Sequence, residues 1–293
     1  MSEAAARGLR VMTVNVLAPQ YADGPGRRSV LAREIRHLAP DVLALQEVTP
    51  GDVEALVDDG WHVVPHPRWS SDGVGAVLAA RHPFGDTRSD TLEVTERTVH
   101  TDWCGVVTAE LRLPEPLGTV LVVHHKPSWP YGYEHERELQ ALVAARLAEA
   151  AAAECSARHT VLLGDLDASP HAASLRFLQG LQALDGVSVC FQDAWATVHP
   201  GEPGPTFSPA NSLVRQGDMP EASDRRIDYV MLRCGPHGPT LRVTSCRRVL
   251  VEPVNGVQAS DHYGVAADLT LPDHPPGRWA TSWLASPTRG GSK

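Results

Sequence analysis

The chain has 293 residues, and its 35 Asp and Glu residues outnumber 26 Lys and Arg residues, which gives a net charge of −9. This length allows one large domain, and the acidic balance disfavours a protein that binds along the phosphate backbone of nucleic acid, because such binding draws on a broad basic surface. The five cysteines are scattered and have no C-x-x-C spacing, which predicts reduced thiols with neither a disulfide framework nor a zinc knuckle. The sequence has no apolar signal segment and no apolar run of membrane-spanning length, so we expect a cytoplasmic protein that does not insert into a membrane.

Two apolar strands that each end on a polar residue open the predicted fold. Residues 9–16 form the first strand, with Asn15 near its end, and a helix over 28–38 follows. The second strand, 41–48, carries Glu47 near its end. An Asn at a strand end is commonly a turn former, whereas a carboxylate closing an apolar strand is costly to bury unless a positive charge meets it. Glu47 is therefore a candidate site residue.

The middle of the chain predicts further strands and one long helix. We predict a helix over 52–58, strands over 61–65, 73–80, 87–95, 103–113 and 118–125, and the longest helix over 134–154. Because adjacent strand residues face opposite sides, at most one of His124 and His125 faces a site, and a histidine satisfied by a backbone carbonyl is the ordinary alternative. Three aromatic residues in the loop 127–133 either stack on a planar group or cover the core.

The segment T-V-L-L-G-D-L-D-A-S-P at 160–170 joins a buried strand to two carboxylates. Gly164 allows a turn or a close approach of the backbone. Asp165 and Asp167 are two residues apart, so in an extended chain they point the same way, and two like charges aimed together need a cation or a shared proton. A turn or a helix cap is the competing interpretation of this segment taken alone.

The last part of the chain alternates strands with a long connection. We predict a helix near 172–179, strands over 227–232, 241–251 and 265–271, and a Pro- and Gly-rich connection over 199–223. A connection of this length is often functional. From 272 to 293 the composition predicts a flexible tail, which leaves 1–271 as a single domain. The sequence has neither an internal repeat nor a glycine-rich phosphate loop.

Polar side chains therefore lie at the ends of at least five apolar strands. They are Asn15, Glu47, His124 or His125, Asp165 with Asp167, and Asp261 with His262. Strand ends are where open sheets place ligand sites, so we predict one carboxylate-rich pocket. Carboxylates without clustered histidines or cysteines favour Mg²⁺ over zinc.

The order of these motifs resembles the endonuclease/exonuclease/phosphatase superfamily over residues 9–271. The motifs are strand-Asn15, L-Q-E-V at 45–48, strand-His124, G-D-L-D at 164–167, R-I-D-Y at 226–229 and S-D-H at 260–262. The resemblance implies a four-layer α/β sandwich, in which two central mixed β-sheets pack face to face and helices flank them. It also implies a phosphoric ester hydrolase that depends on Mg²⁺, with Mn²⁺ as a substitute ion.

The resemblance further implies roles for individual residues. The metal side would hold Glu47 as the principal ligand, Asn15 as a ligand or a phosphate contact, and Asp261 as an additional carboxylate. Asp165 would orient or deprotonate the attacking water, His262 would bond the phosphoryl oxygens, and Asp228 would orient that imidazole. His124, which directly follows the run V-L-V-V, would be a further catalytic histidine near the scissile phosphate.

One residue departs from the pattern of the family. G-D-x-N is usual, whereas this chain has Asp167 at the position of the phosphate-contacting Asn. An amide donates to a phosphate oxygen, and a carboxylate does so only when it is protonated. The hypotheses are that Asp167 binds metal, including a second ion, or that it selects a substrate with fewer negative charges.

The sequence leaves the substrate open. The pairs Arg27-Arg28, Arg225-Arg226 and Arg247-Arg248 suit nucleic acid or a solvated surface equally well. With the net charge of −9, we expect a small-molecule or lipid-headgroup phosphate ester ahead of a nucleic acid, acted on by a monomer. The alternatives are a DNA or RNA endonuclease or exonuclease, and a catalytically silent binding module on the same fold.

Overall fold

Two mixed β-sheets pack face to face in the structure, a computed structural model that describes residues 8–22, 24–70, 73–100 and 103–278. The thirteen strands of these residues are β1 (Gly8–Asn15), β2 (Val42–Val48), β3 (His62–Pro65), β4 (Gly75–Ala80), β5 (Phe84–Asp90), β6 (Gly105–Arg112), β7 (Thr119–Lys126), β8 (His159–Asp165), β9 (Phe191–Asp193), β10 (Asp228–Gly235), β11 (Gly238–Pro239), β12 (Arg242–Val249) and β13 (Gly264–Thr270). The first sheet has the order β12-β13-β1-β2-β4-β3, and the second has the order β11-β10-β8-β7-β6-β5 with β9 paired to β10.

Four of the six α-helices in the described residues cover the outer faces of the two sheets. The six are α1 (Gly24–Leu38), α2 (Pro50–Leu56), α3 (Glu134–Glu154), α4 (Ala173–Leu178), α5 (Ala194–Val198) and α6 (Ser212–Gln216). The short α5 contributes Ala194 and Trp195 to the apolar cluster between the sheets, and α6 packs within the connection 199–223. Apolar side chains of α1 and α2 pack on the first sheet, and those of α3 and α4 pack on the second. A third apolar cluster fills the space between the sheets. The predicted four-layer α/β sandwich is thereby confirmed.

Alternation along the buried strands explains how one strand serves two layers. In β8, Val161 and Leu163 join the cluster between the sheets, whereas Leu162 joins the cluster under α3. Successive side chains of a strand point to opposite faces, so a continuous apolar run fits a strand that is buried on both sides.

Two predicted segments differ from the observed ones. The strand predicted over 87–95 is β5, Phe84–Asp90, because Leu92 takes a left-handed backbone (φ 59°) and its N–H bonds to Asp90 Oδ1 at 2.7 Å. The connection 199–223 contains α6, whose first turn is capped by the Asn211 side chain.

The remaining sequence predictions concern the tail and the membrane. Residues 279–293 of the predicted flexible tail lie outside the described residues. In the described part of the chain, no helix combines the length and the apolar character that crossing a membrane requires.

The strand ends that carry polar residues meet at one edge of the sandwich. Across the interface between the sheets, β8 contacts β1 and β2, and β10 contacts β1 and β13. The ends of β1, β2 and β8 and the beginnings of β10 and β13 therefore come together, and they form the pocket described next.

Candidate active site

Three of the predicted site residues reach the pocket by simple strand alternation. Asn15, Asp165 and Asp228 lie on the same faces of β1, β8 and β10 as the apolar residues that fill the space between the sheets. Asp228 is directly opposite Asp165 in the antiparallel pair of β10 and β8. Like charges opposite each other in neighbouring strands repel, so this pair requires a positive group beside it.

Glu47 reaches the same pocket through an irregularity in β2. The pairing of β2 with β4 shifts between Gln46 and Val48, and Glu47 has a left-handed backbone with φ 54°. In a regular strand Glu47 would face the helices, as Leu45 does. The bulge instead turns its carboxylate inward, where Glu47 Oε1 accepts a hydrogen bond from Asn15 Nδ2 at 2.8 Å.

The amide of Asn15 joins the two sheets at the pocket. Its Nδ2 donates to Glu47 Oε1 and to Asp165 Oδ2, the latter at 3.1 Å, while its Oδ1 accepts from the backbone N–H of Leu17 at 3.0 Å. Because the N–H of Leu17 needs an acceptor, this network fixes which side of the amide faces the carboxylates. Asn15 thus acts as a donor that bridges two carboxylates.

His262 and Asp228 form a buried pair on the other side of Asp165. His262 Nδ1 lies 3.0 Å from Asp228 Oδ2. The connection 199–223 supports both residues, since Thr206 Oγ1 accepts from the backbone N–H of Asp228 at 3.1 Å and the ring of Phe207 lies 5.1 Å from the ring of His262. This contact supports the expectation that the long connection serves the site.

Lys126 is a pocket residue to which the sequence analysis gives no role. It is the last residue of β7, is 2% exposed, and its Nζ lies 2.9 Å from Asp165 Oδ2. The same Nζ also contacts Asp167 Oδ2. A lysine at the end of a buried strand is an anomaly of the same kind as Glu47, and that signal was available in the sequence.

Asp167 turns back toward Lys126 because its backbone is left-handed, with φ 49°. Its N–H donates to Asp165 Oδ1 at 3.1 Å, and its carbonyl accepts from Arg225 Nη2 at 2.8 Å. Both carboxylates of the G-D-x-D motif therefore face Lys126, although the chain is no longer extended between them.

The paired histidines lie away from these carboxylates. His124 is fully buried one step below the pocket, with its Nε2 2.7 Å from Gln46 Nε2 and its ring 4.3 Å from the ring of His66. His125 faces the opposite side of β7, where it lines a small cavity beside α3. The strand continues to Lys126, so the position expected for His124 beside the carboxylates is taken by the lysine.

Burial and neighbouring charges shift the pKa values of the pocket. Burial raises the pKa of Glu47 to about 7 against the opposing charge of Lys126. Burial would also raise the pKa of Asp165, but the charges of Lys126 and His262 outweigh it and lower that pKa to about 2. Burial opposes the charged imidazole, yet Asp228 and Asp165 hold the pKa of His262 well above its usual value.

Lys126 is held in its charged form by the same carboxylates. Burial by itself would lower the pKa of Lys126, but the charges of Asp165, Asp167 and Glu47 overcome it and keep this pKa well above the usual value. The pocket therefore contains a charged ammonium and an imidazolium beside its acidic groups.

The donor set of the pocket fits a hard divalent cation. Among the described residues, the carboxylates of this pocket outnumber its two cations, Lys126 and His262. Asp228 Oδ1 is buried without a hydrogen-bond partner, and one ligand atom each from Asp165, Asp228 and His262 lie within 4.8 Å of one another. His262 in its charged form has no lone pair for a metal ion, so at this group the imidazolium itself supplies the positive charge. Oxygen donors with excess negative charge suit Mg²⁺ or Mn²⁺ better than zinc.

Glu47 and Asp261 are the carboxylates best placed to receive that cation. No Lys, Arg or His in the described ranges forms an ion pair with either one. The charge of Asp261 contributes to the raised pKa of Glu47, so the two carboxylates repel each other across the pocket. A cation between them would remove that repulsion.

Comparison with known proteins identifies a family and several similar structures. A sequence model of the Endonuclease/Exonuclease/phosphatase family matches residues 12–262. No curated protein sequence shows significant similarity to the chain. TDP2 from D. rerio, complexed with single strand DNA product, has 19% identity and a TM-score of 0.70 over 90% of this chain and 99% of that chain.

Two further solved structures are similar over most of this chain. The human Nocturnin catalytic domain with bound sulfate has 20% identity and a TM-score of 0.67, over 91% of this chain and 94% of that chain. An endonuclease/exonuclease/phosphatase from Beutenbergia cavernae has 25% identity and a TM-score of 0.64, over 90% of this chain and 72% of that chain. These similarities agree with the two-sheet sandwich described above.

Proposed function

The chain belongs to the endonuclease/exonuclease/phosphatase family, and from this membership and the geometry of its pocket we propose that it is a Mg²⁺-dependent hydrolase of phosphate esters. The observation that carries the proposal is the buried pair of Asp228 and His262 beside Asp165, with Glu47 linked to Asp165 through Asn15. This arrangement offers a cation site, a positive hydrogen-bond donor and an ionised carboxylate at one place.

Asp165 orients the attacking water in this proposal. The pKa of about 2 keeps its carboxylate ionised at neutral pH and makes it a weak proton acceptor. Its contacts with Lys126 and Asn15 fix the carboxylate in one position. Orientation of a water molecule in line with the phosphorus is therefore the role that its chemistry supports best.

His262 supplies positive charge to the phosphoryl oxygens. Asp228 accepts the hydrogen bond from Nδ1, which leaves Nε2–H of the imidazolium for an oxygen of the substrate. Phosphate esters repel anionic nucleophiles, so neutralising these oxygens lowers the barrier to attack. A divalent cation bound by Glu47 and Asp261, with Asn15 holding Glu47 in place, would add Lewis-acid neutralisation of the same oxygens.

The substrate we favour is a small phosphodiester or phosphomonoester, including a lipid headgroup. The net charge of −9 argues against a long contact with nucleic acid. The loop 127–133 is held by Arg137 Nη1, which donates to the carbonyls of Ser128 and Pro130 at 2.9 Å each. A fixed loop suits a small pocket of defined shape.

A nucleic acid or nucleotide is the second candidate, and a specific observation favours it. Trp129 and Tyr131 are 41% and 56% exposed, and the guanidinium of Arg225 lies 4.6 Å from the centre of the Tyr131 ring. Arg225 also bonds the carbonyl of Asp167, so this aromatic rim adjoins the pocket. Exposed aromatic rings beside an arginine are suited to stacking a base next to its phosphate.

The generic diester bis(p-nitrophenyl) phosphate tests the proposal. We expect hydrolysis that requires Mg²⁺ or Mn²⁺, stops with a chelator, and falls by at least about 100-fold in Asp165→Asn and His262→Ala. Both variants should keep the wild-type circular dichroism spectrum. Near-normal activity in either folded variant, or full activity in chelator, would refute the proposed roles and the metal dependence. No hydrolysis by the wild-type protein with either ion would favour a binding module.

Two assays then separate the substrate classes. Nicking of supercoiled plasmid or shortening of an oligonucleotide at moderate salt would favour the second candidate. Tyr131→Ala should lower kcat/KM for the oligonucleotide and leave the small diester unaffected if a base stacks on this ring. Release of product from a water-soluble headgroup ester, with no cleavage of nucleic acid, would favour the first candidate.

A further inference from the structure

Lys126 is a buried ammonium that the roles proposed above do not explain. It is 2% exposed, and its Nζ contacts Asp165 and Asp167, two carboxylates that are themselves buried. A buried ammonium persists only where opposite charges meet it closely. The distance of 2.9 Å to Asp165 and the second contact to Asp167 meet that requirement.

Asp167 is the carboxylate that completes this arrangement. Its left-handed backbone (φ 49°) and the hydrogen bond from Arg225 to its carbonyl turn the side chain back to Lys126. An amide in place of this carboxylate would leave Asp165 as the one carboxylate in direct contact with the ammonium among the described residues. The lysine and the second aspartate therefore act as one unit, in which each neutralises the other.

The ammonium consequently neutralises one part of the pocket by direct contact, and it acts on Glu47 only through its charge, without forming an ion pair with it. At the Asp165 and Asp167 end, Lys126 lies where a cation would neutralise both carboxylates. At the other end, Glu47 and Asp261 have no ion-pair partner among the residues that the structure describes. A divalent cation placed at the first end would meet the ammonium at close range, and the two positive charges would repel each other.

We propose that Lys126 is a built-in cation that occupies the place of a second metal ion, so that the pocket binds one divalent cation, at the Glu47 and Asp261 end. Asp167 is then a positioning residue that holds the ammonium and does not ligate metal. The inference rests on the proposed function for the divalent cation itself, and it deepens that function by fixing the number of ions and the identity of the cation at the Asp165 end.

The number of Mn²⁺ ions bound per chain, measured by electron paramagnetic resonance during titration, tests this inference without reference to activity. The wild-type protein should bind one ion. Lys126→Met should bind two, because the freed carboxylates form a second site. Asp167→Asn should bind one ion with an affinity within about threefold of wild type, since a positioning residue contributes no ligand. Two ions in the wild-type protein, or a lost ion in Asp167→Asn, would overturn the inference.

A matched control and a second variant keep the test decisive. Arg226→Met also removes a buried cation from a buried carboxylate, because Arg226 Nη1 lies 2.5 Å from Asp193 Oδ2, but this pair lies outside the pocket. It should bind one ion. If Lys126→Met fails to fold, Lys126→Gln removes the charge and keeps a polar side chain beside the two carboxylates; it should bind two ions, and a single ion in folded Lys126→Gln would count against the inference. An unchanged count in folded Lys126→Met would count against the inference.

The same measurement separates this inference from the proposed function. Two ions bound to an active wild-type enzyme would overturn the inference and leave the function standing. One ion bound to a protein that cleaves no phosphate ester would overturn the function and leave the role of Lys126 standing. Failure to bind any Mn²⁺ would overturn both.

Discussion

Replacement of Asp228 by Asn should move the alkaline limit of activity to lower pH. Asp228 Oδ2 lies 3.0 Å from His262 Nδ1 in a buried pair, and at an effective dielectric constant of about 20 two unit charges at this distance interact by about 5 kcal/mol. This energy is the upper limit of what Asp228 contributes to the charged form of His262. The Asn oxygen still accepts the hydrogen bond, and Asp165 remains near, so we expect the pKa of His262 to fall and to stay raised in part by Asp165.

The sign follows from the charged form of His262. Its pKa is raised by Asp228 and Asp165 against the effect of burial, so the imidazolium is present at neutral pH and is lost as pH rises through that pKa. In Asp228→Asn the loss should begin at lower pH. The profile of kcat/KM from pH 5.5 to 10, at saturating Mg²⁺, should therefore agree with wild type at low pH and fall at least about tenfold below it at high pH, since tenfold corresponds to only about 1.4 kcal/mol of the lost interaction.

Asp193→Asn is the matched control for this experiment. Asp193, the last residue of β9, and Arg226, which precedes β10, form another buried pair, at 2.5 Å, and neither residue pairs with His262. The control should lose stability and keep the alkaline limit of the wild-type enzyme. A uniform loss of activity in Asp228→Asn, with the alkaline limit unmoved, would refute the assignment of His262 as a working imidazolium.

Three further changes test the metal side and the backbone around the site. Because the pKa of Glu47 is about 7, a proton competes with the cation for its carboxylate, and the affinity for Mn²⁺ should fall about tenfold for each pH unit below 7 and level off above it. Glu47→Gln should bind Mn²⁺ weakly, with an affinity that does not depend on pH in this way. An affinity equal to that of the wild type would exclude Glu47 as a ligand. Gly164→Ala should lower the free energy of unfolding in urea by about 3 kcal/mol or more, because the new Cβ would lie 2.1 Å from the carbonyl oxygen of His125 and residue 164 has φ 150°. The control Gly51→Ala, whose Cβ would have its nearest atom at 3.9 Å, should be neutral or stabilising. Equal effects of the two substitutions would contradict this geometry. Tyr229→Phe should lower the free energy of unfolding by about 1–3 kcal/mol, because the buried hydroxyl lies 2.7 Å from the carbonyl oxygen of Ala168 and 2.8 Å from that of Arg226. An unchanged urea midpoint would show that a water molecule takes the place of the hydroxyl group.

Several parts of the site follow directly from sequence. Asn15, Asp165 and Asp228 continue the inner faces of strands whose apolar residues alternate, so the local period of two is enough to aim them at one another. The motif order over most of the chain also indicated the family, which the match over residues 12–262 bears out.

His124 shows where strand alternation is insufficient. It lies on the inner face of β7, as the period of two requires, but the strand continues to Lys126 before the pocket begins. The histidine therefore lies one step deeper, against Gln46 and His66. Where a strand ends relative to its neighbours depends on their pairing, which a single sequence does not specify.

The sequence by itself determined the buried strands, the long helix and the set of polar residues at strand ends, because apolar periodicity and burial costs act over a few neighbouring residues. The sandwich class was implied only by the resemblance of the motif order to the family. Tertiary structure decided the inward turn of Glu47, which requires a bulge against β4, and the contact of Lys126 with Asp167, which joins residues 41 positions apart. It also decided how the connection 199–223 supports His262. Charges buried together are stable only in pairs, and the partners are chosen by the packing of the two sheets, so the balance of charge in this pocket exists only in the folded chain.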